Sequence, residues 1–222
     1  MSRQAQGPIG WLVERMVQRS LCKAFHNVWW NPPPTPLPQP CVLIANHHGW
    51  HDGYVLYHAI RVLNLPTVVW MEELEAFPPF KYIGGLTFPR ENQGARTATI
   101  RRTVRLLRSG QANLALFPEG AMHRPPGLLP FTRALEFLCK KVQGLSIVPV
   151  GLRYEVSMHE RPECFLSFGQ PTKDPEEARI SVLKILEELE SAEPDGYELL
   201  LAGTKDVNER WDMRRLGARK GT

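Results

Sequence analysis

The sequence predicts an α/β fold, a single-domain mixed β-sheet flanked by helices with an N-terminal amphipathic helix, and three observations predict it. From Cys41 onward, apolar runs of strand length alternate with stretches of helical period, the pattern of a sheet with helices packed on it. The run Cys41-Val42-Leu43-Ile44-Ala45 is apolar throughout, as suits a buried strand. A chain of 222 residues with 43% hydrophobic content is long enough for one sizeable core and fits one domain.

Taken in order, Ile9, Leu12, Val13, Met16, Val17, Leu21 and Phe25 recur with a helical period, with Arg15, Arg19 and Lys23 on the other side. This reads as an amphipathic helix, able to pack on its own domain or to lie on anionic lipid. Trp11 near its start and Trp29-Trp30 beyond its end are residues that favour a lipid headgroup boundary. Pro32-Pro33-Pro34, Pro36, Pro38 and Pro40 form a stiff extended connector, because proline fixes φ and lacks an amide donor. Residues 1–40 are therefore read as an amphipathic, membrane-contacting segment with its connector, and residues 41–222 as the main domain.

Strands are expected at Val42 to Ala45, Thr67 to Met71, Leu86 to Pro89, Asn113 to Phe117, Ser146 to Val150 and Glu163 to Phe168. Helical patterns cover Gly53 to Leu63, Ala95 to Arg108 and Thr132 to Val142. A further helix opens at Asp174-Pro175-Glu176-Glu177, where Asp caps free amides and Pro suits the first turn; Ile180, Leu183, Leu186 and Leu189 supply its apolar positions. The tail through Arg214-Arg215 is basic and expected to fray.

Composition narrows the function. Cys22, Cys41, Cys139 and Cys164 stand far apart and fit reduced thiols better than a disulfide framework. The N-terminus lacks the apolar core of a signal peptide and no run reaches bilayer-spanning length, so a cytoplasmic protein, peripheral on the inner face of the membrane, is expected. The excess of 27 Lys and Arg over 23 Asp and Glu is modest, and without a zinc-finger or RNP-like motif no nucleic-acid partner is expected. The basic face of the third helical pattern, with Arg96, Arg101, Arg102, Arg105 and Arg108, suits solvent, acidic phospholipid, the phosphates of coenzyme A or an acidic carrier protein.

The chemistry concentrates in Asn46-His47-His48-Gly49-Trp50-His51-Asp52, directly after the first apolar run. Loops at the C-terminal ends of strands are where α/β sheets place their sites. An imidazole there takes a proton from a hydroxyl, and a carboxylate five residues on holds its tautomer. Asp52 also suits the N-cap of the following helix. Farther along stand Gly84-Gly85-Leu86-Thr87-Phe88-Pro89-Arg90, then Phe117-Pro118-Glu119-Gly120, then Ile147-Val148-Pro149-Val150.

This series, from about Cys41 to Gly151, resembles the four sequence blocks of the glycerophospholipid acyltransferases, the family of lysophosphatidate and glycerol-phosphate acyltransferases. The resemblance implies that the main domain moves a fatty acyl group from acyl-CoA or acyl carrier protein to a hydroxyl of a lysophospholipid such as 1-acylglycerol-3-phosphate. It implies His47 as base, Asp52 as its partner and direct transfer without an acyl-enzyme. It further implies that Arg90 helps hold the acceptor's phosphate, that Glu119 and Gly120 help build the acceptor site, and that no metal or organic cofactor is needed. No Gly-x-Ser-x-Gly elbow exists in the chain, which argues against an acyl-serine hydrolase.

Two departures stand out. The first block usually has Ser or Thr where Gly49 stands, and the third usually continues Glu-Gly-Thr-Arg, whereas here Ala121-Met122-His123 moves the cation two places on, to Arg124. Two other readings stay open: a metal-dependent hydrolase using His47, His51 and Asp52, and a lipid-binding module without turnover. Hydrogen-bonding or solvated roles are the expectation for His26, His48, His51, His58 and His159.

Overall fold

The computed structural model describes residues 6–33, 36–156 and 158–211; the basic tail with Arg214-Arg215 lies outside them. Helix α1 (Gly7–Ala24) leads into strand β1 (Asn27–Asn31), followed by β2 (Cys41–Ala45), α2 (Asp52–Val62), β3 (Thr67–Met71), a 3-10 turn (Pro78–Ile83) and β4 (Gly85–Thr87). Then come α3 (Gln93–Arg108), β5 (Asn113–Leu116), α4 (Ala134–Lys141), β6 (Ser146–Glu155), β7 (Glu163–Phe168), α5 (Pro175–Leu189), β8 (Glu198–Ala202) and the single turn α6 (Val207–Arg210). All eight strands form one mixed sheet in the order β4-β3-β5-β2-β6-β7-β1-β8. Neighbours from β4 to β6 run parallel, β7 reverses against β6, β1 is parallel to β7, and β8 closes the far edge antiparallel to β1.

Strand β2 shows why the sheet needs cover on both sides. All five of its residues are buried, and because side chains alternate across a strand they serve two cores. Leu43 and Ala45 join the core under α1 and α2, with Val17, Leu21, Val55, Leu56 and Ala59. Val42 and Ile44 join the opposite core under α3, α4 and α5, with Leu107, Leu135, Leu138, Ala178 and Val182. Truncating Leu43, with none of its surface exposed, costs about 2–5 kcal/mol.

Helix α1 divides its apolar residues. Val13, Val17 and Leu21 are buried, and Glu14 ties the helix to α2 by accepting from the Tyr57 hydroxyl (2.8 Å) and pairing with Arg61 (3.6 Å). Ile9, Leu12 and Met16 remain exposed. Arg15, Arg19 and Lys23 follow Leu12 at one-turn steps along this exposed side, not on an opposite face as the sequence reading placed them. The segment before the prolines also contributes β1, unforeseen from the sequence. Trp30 is buried against Phe168, and Trp29 donates its Nε1–H to Glu163 (2.7 Å); these two rings belong to the sheet and not to a headgroup boundary.

Other differences are local. β6 runs five residues past the expected Val150, because Gly151 to Glu155 pair residue by residue with β7. Helix α5 turns Ala178, Val182, Ile185 and Leu189 inward and leaves Ile180 exposed. Ile185 lies directly over Gly151 and Gly169, where any Cβ would crowd it.

Candidate active site

Parallel strands put their C-terminal ends on one edge of the sheet, and there β2 delivers His47, β5 delivers Glu119, and the neighbouring strand β6 delivers Tyr154. Asn46 makes the join rigid. With none of its surface exposed, its side-chain oxygen accepts from the Leu152 amide (2.8 Å) and its Nδ2 donates to the Leu152 carbonyl (2.9 Å). The β2–β6 ladder, which ends at Ala45 opposite Val150, is thereby continued one step by a side chain. The same Nδ2 reaches Nδ1 of His48 (3.1 Å), so that ring's Nε2–H donates to the Gly127 carbonyl (2.8 Å).

His47 and Asp52 meet as the spacing predicts. Nδ1 of His47 lies 3.0 Å from Oδ2 of Asp52, and since a carboxylate only accepts, Nδ1 carries the proton and Nε2 keeps its lone pair. The imidazole stacks on Phe117 at 4.4 Å and is 27% exposed, which leaves it open to a substrate. Asp52 is fully buried. Its Oδ2 also accepts from the Gly49 amide (2.8 Å), and its Oδ1 accepts from the Tyr154 hydroxyl. The helix cap is His51; Asp52 is the first helical residue, where the helix dipole favours an anion.

Tyr154 was not singled out in the sequence. Its ring stacks on Phe25 at 5.4 Å. Burial above all, with Cys164 and the Asp52 carboxylate nearby, pushes its phenol pKa well up, so the hydroxyl remains a donor. A Cβ at Gly49 would overlap the Tyr154 ring, which gives a physical reason for glycine where Ser or Thr is usual.

Glu119 has a fully enclosed carboxylate. Oε1 accepts from the His47 amide (2.8 Å), while Oε2 accepts from the Leu129 amide (2.6 Å) and from Nε2 of His123 (2.6 Å). The His123 amide in turn donates to the His47 carbonyl (3.0 Å). Glu119 thus fastens the loop after β5 to the backbone of His47. Gly120 makes the turn at φ +71°, a left-handed conformation that glycine adopts without strain. His123 and Leu129 had no visible sequence signal, because their partner lies on a different part of the same loop.

The cations lie farther out. Arg90 is exposed and pairs its Nε with Glu72 (2.8 Å). Three strand spacings, about 14 Å, separate β4 from β2. Arg124 is exposed on the Glu119 loop. His47, His51 and Asp52 do not bring three donor atoms together; among the described residues the clusters that do are His48, Glu119, His123 and, elsewhere, His26, His159, Asp206, Glu209. His51 instead packs edge-on to Phe25, and burial depresses its pKa against the opposing pull of Asp52.

The sequence model of the family described as Acyltransferase matches residues 31–153, the span from the end of β1 into β6 that includes His47, Asp52 and Glu119 and stops just before Tyr154. The chain belongs to the acyltransferase family. Over 114 residues it is 31% identical to the 1-acyl-sn-glycerol-3-phosphate acyltransferases of Salmonella typhimurium and of Escherichia coli, a span covering 49% of this chain and 45% of each relative. The match thus takes in less than half the length of those curated relatives. The crystal structure of the 1-acyl-sn-glycerophosphate (LPA) acyltransferase from Thermotoga maritima shares the fold, with a TM-score of 0.59 at 19% identity over 82% of this chain and 80% of that one. Among the described residues, no helix of this acyltransferase is long and apolar enough to cross a membrane.

Proposed function

We propose that this acyltransferase moves a fatty acyl group from acyl-CoA or acyl carrier protein to the free hydroxyl of a lysophospholipid, with 1-acylglycerol-3-phosphate as the acceptor. The observation that carries the reading is the His47–Asp52 pair at the sheet's C-terminal edge, its Nε2 lone pair free and its imidazole open to solvent. The acceptor hydroxyl gives its proton to Nε2 of His47 as its oxygen attacks the thioester carbonyl. Asp52 stabilises the imidazolium that forms. Collapse of the tetrahedral intermediate breaks the C–S bond, the imidazolium returns the proton to the leaving thiolate, and an ester and a free thiol result.

In this reading Arg90 and Arg124 hold the anionic head group, the terminal nitrogens of each guanidinium suiting phosphate, and Glu119 and Gly120 shape the acceptor site by fixing its loop. A groove of about 360 Å³ beside His48, bounded by Pro126, Leu152, Tyr154 and Leu186, offers an apolar wall to an acyl chain. The exposed stripe of α1, flanked by Arg15, Arg19 and Lys23, together with exposed Trp50 next to the dyad, supports docking on the inner face of an anionic membrane.

The test is transfer from labelled palmitoyl-CoA to lysophosphatidate in detergent micelles. Native protein should form product, and His47→Ala should keep its thermal midpoint while losing about 10²-fold or more in rate. An unchanged rate in the variant would remove His47 from the chemistry.

A further inference from the structure

Away from His47, three stretches distant in sequence bring a second set of donor groups together. His26 sits between α1 and β1, His159 lies in the connection from β6 to β7, Asp206 caps the single turn α6 and Glu209 lies within it. The two imidazoles stack with centroids 3.5 Å apart. Nδ1 of His159 lies 2.8 Å from Oδ2 of Asp206, and one donor atom from each of the four residues falls within 4.8 Å of every other.

One group in this set is unsatisfied. His26 is 6% exposed, and its Nδ1 is buried without a hydrogen-bond partner. That atom stands 3.7 Å from Oδ1 of Asp206 and 3.7 Å from Oε2 of Glu209, too far for a hydrogen bond. A buried polar atom left unpaired is costly, and this one faces two carboxylate oxygens across a gap. Both carboxylates already accept amide protons, from Glu160 (3.1 Å) and from Asp206 itself (2.8 Å). Each still has lone pairs to spare.

We propose that His26, His159, Asp206 and Glu209 form a structural site for a zinc-type divalent cation. Two imidazole nitrogens and two carboxylate oxygens are a donor set suited to tetrahedral zinc, whose ligand atoms, each about 2.0–2.2 Å from the metal, lie roughly 3.3 Å from one another. Three of the ligand-pair spacings here are 2.8, 3.7 and 3.7 Å and all lie within 4.8 Å, so binding requires a small closure of the ligands and a turn of the stacked rings that brings both nitrogen lone pairs onto the ion. Neutral imidazoles with two carboxylates balance a dication, and four protein ligands leave no open position, so the site is structural and not catalytic. Bound there, the ion would tie the entry to β1, the β6–β7 connection and the chain after β8 at one point.

The test strips the full chain with chelator, returns one equivalent of zinc, and reads retained metal after gel filtration together with the thermal midpoint. The native chain should retain about one zinc and melt higher for it. His26→Asn and the more exposed His159→Ala should each weaken zinc affinity at least about tenfold and lose the thermal shift, while His123→Ala, in the cluster beside the active site, should change neither. No retention by the native chain, or retention that survives His159→Ala, or loss that follows His123→Ala, overturns the proposal. Cobalt in place of zinc adds a second readout, since four-coordinate N and O ligation gives it a visible absorption that His159→Ala should abolish.

Discussion

The Tyr154 hydroxyl donates to Oδ1 of Asp52, the carboxylate whose other oxygen holds His47. His47, Asp52 and Tyr154 therefore form one hydrogen-bonded line from a partly exposed imidazole into the sheet. Tyr154→Phe removes the last donor and keeps the ring on Phe25. We expect it to cost about 1–3 kcal/mol of stability and to lower kcat roughly tenfold with KM unchanged, because Asp52 loses its fixed position. A stability loss with kcat intact would confine Tyr154 to packing.

Gly49 and Tyr154 are coupled by volume. Gly49→Ser places a side chain where the Tyr154 ring stands, so alone it should displace the ring and lower kcat at least about tenfold. In a Tyr154→Ala background the same serine has room. A double-mutant cycle on kcat should give a coupling of about 1 kcal/mol or more; strict additivity would show that the two positions do not meet.

Glu119 accepts three hydrogen bonds and donates none. Glu119→Gln sets an amide NH2 against an amide donor at one end, so one buried donor goes unpaired whichever way the group is turned. Urea unfolding should report a loss of about 1–3 kcal/mol. Activity should fall along with it, because the His47 backbone loses its anchor.

Stability should also depend on pH through His58. Burial first, then Arg61, hold its pKa below the ordinary 6.5, so the folded protein binds fewer protons there than the unfolded chain. The resulting stability is fully present above about pH 6.5 and is lost as pH falls through that value towards the lowered folded pKa. Urea midpoints should decline from pH 7 to pH 5, and His58→Leu should flatten part of that decline. His51, shifted in the same direction by burial, accounts for a further share.

Membrane docking through α1 predicts a salt-sensitive affinity for anionic vesicles. Leu12→Glu, at an exposed position, should weaken binding to phosphatidylglycerol vesicles about tenfold or more, as expected from losing about 1.5–3 kcal/mol of apolar burial. Co-sedimentation with vesicles measures this directly. Equal binding by Leu12→Glu would move the docking surface elsewhere.

The parts of this structure legible in the sequence are those whose cause is local. Strands β2, β3, β5 and β7 and the helices between them declare themselves through period and length, and the His47–Asp52 pair lies within a single loop. Strand β1 was illegible because Trp29 and Trp30 have one meaning beside a sheet and another beside lipid, and only the pairing with β7 decides between them. Tyr154 and Glu119 act on His47 from β6 and from the loop after β5, so their roles depend on strand order, which no run of residues announces. Helix α5 is legible together with its inward Leu189 and half-buried Leu186, but Ile180 faces solvent and Val182 and Ile185 face the sheet, a choice that Gly151 and Gly169 make from a distance.

Strand β1 lies between β7 and β8, although the chain makes it first. Trp29 and its partner Glu163 are 134 residues apart, and at about 5–20 residues per second the ribosome needs on the order of ten seconds to supply the second after the first. During that interval β1 has neither of its sheet neighbours to pair with, while α1 can already settle on α2 and β2. Strand β1 is thus made before most of the sheet yet seated among the last of its strands, and closing so long a loop is slow. Until β7 arrives, β1 with Trp29 and Trp30 is an unpaired, adhesive segment of the growing chain.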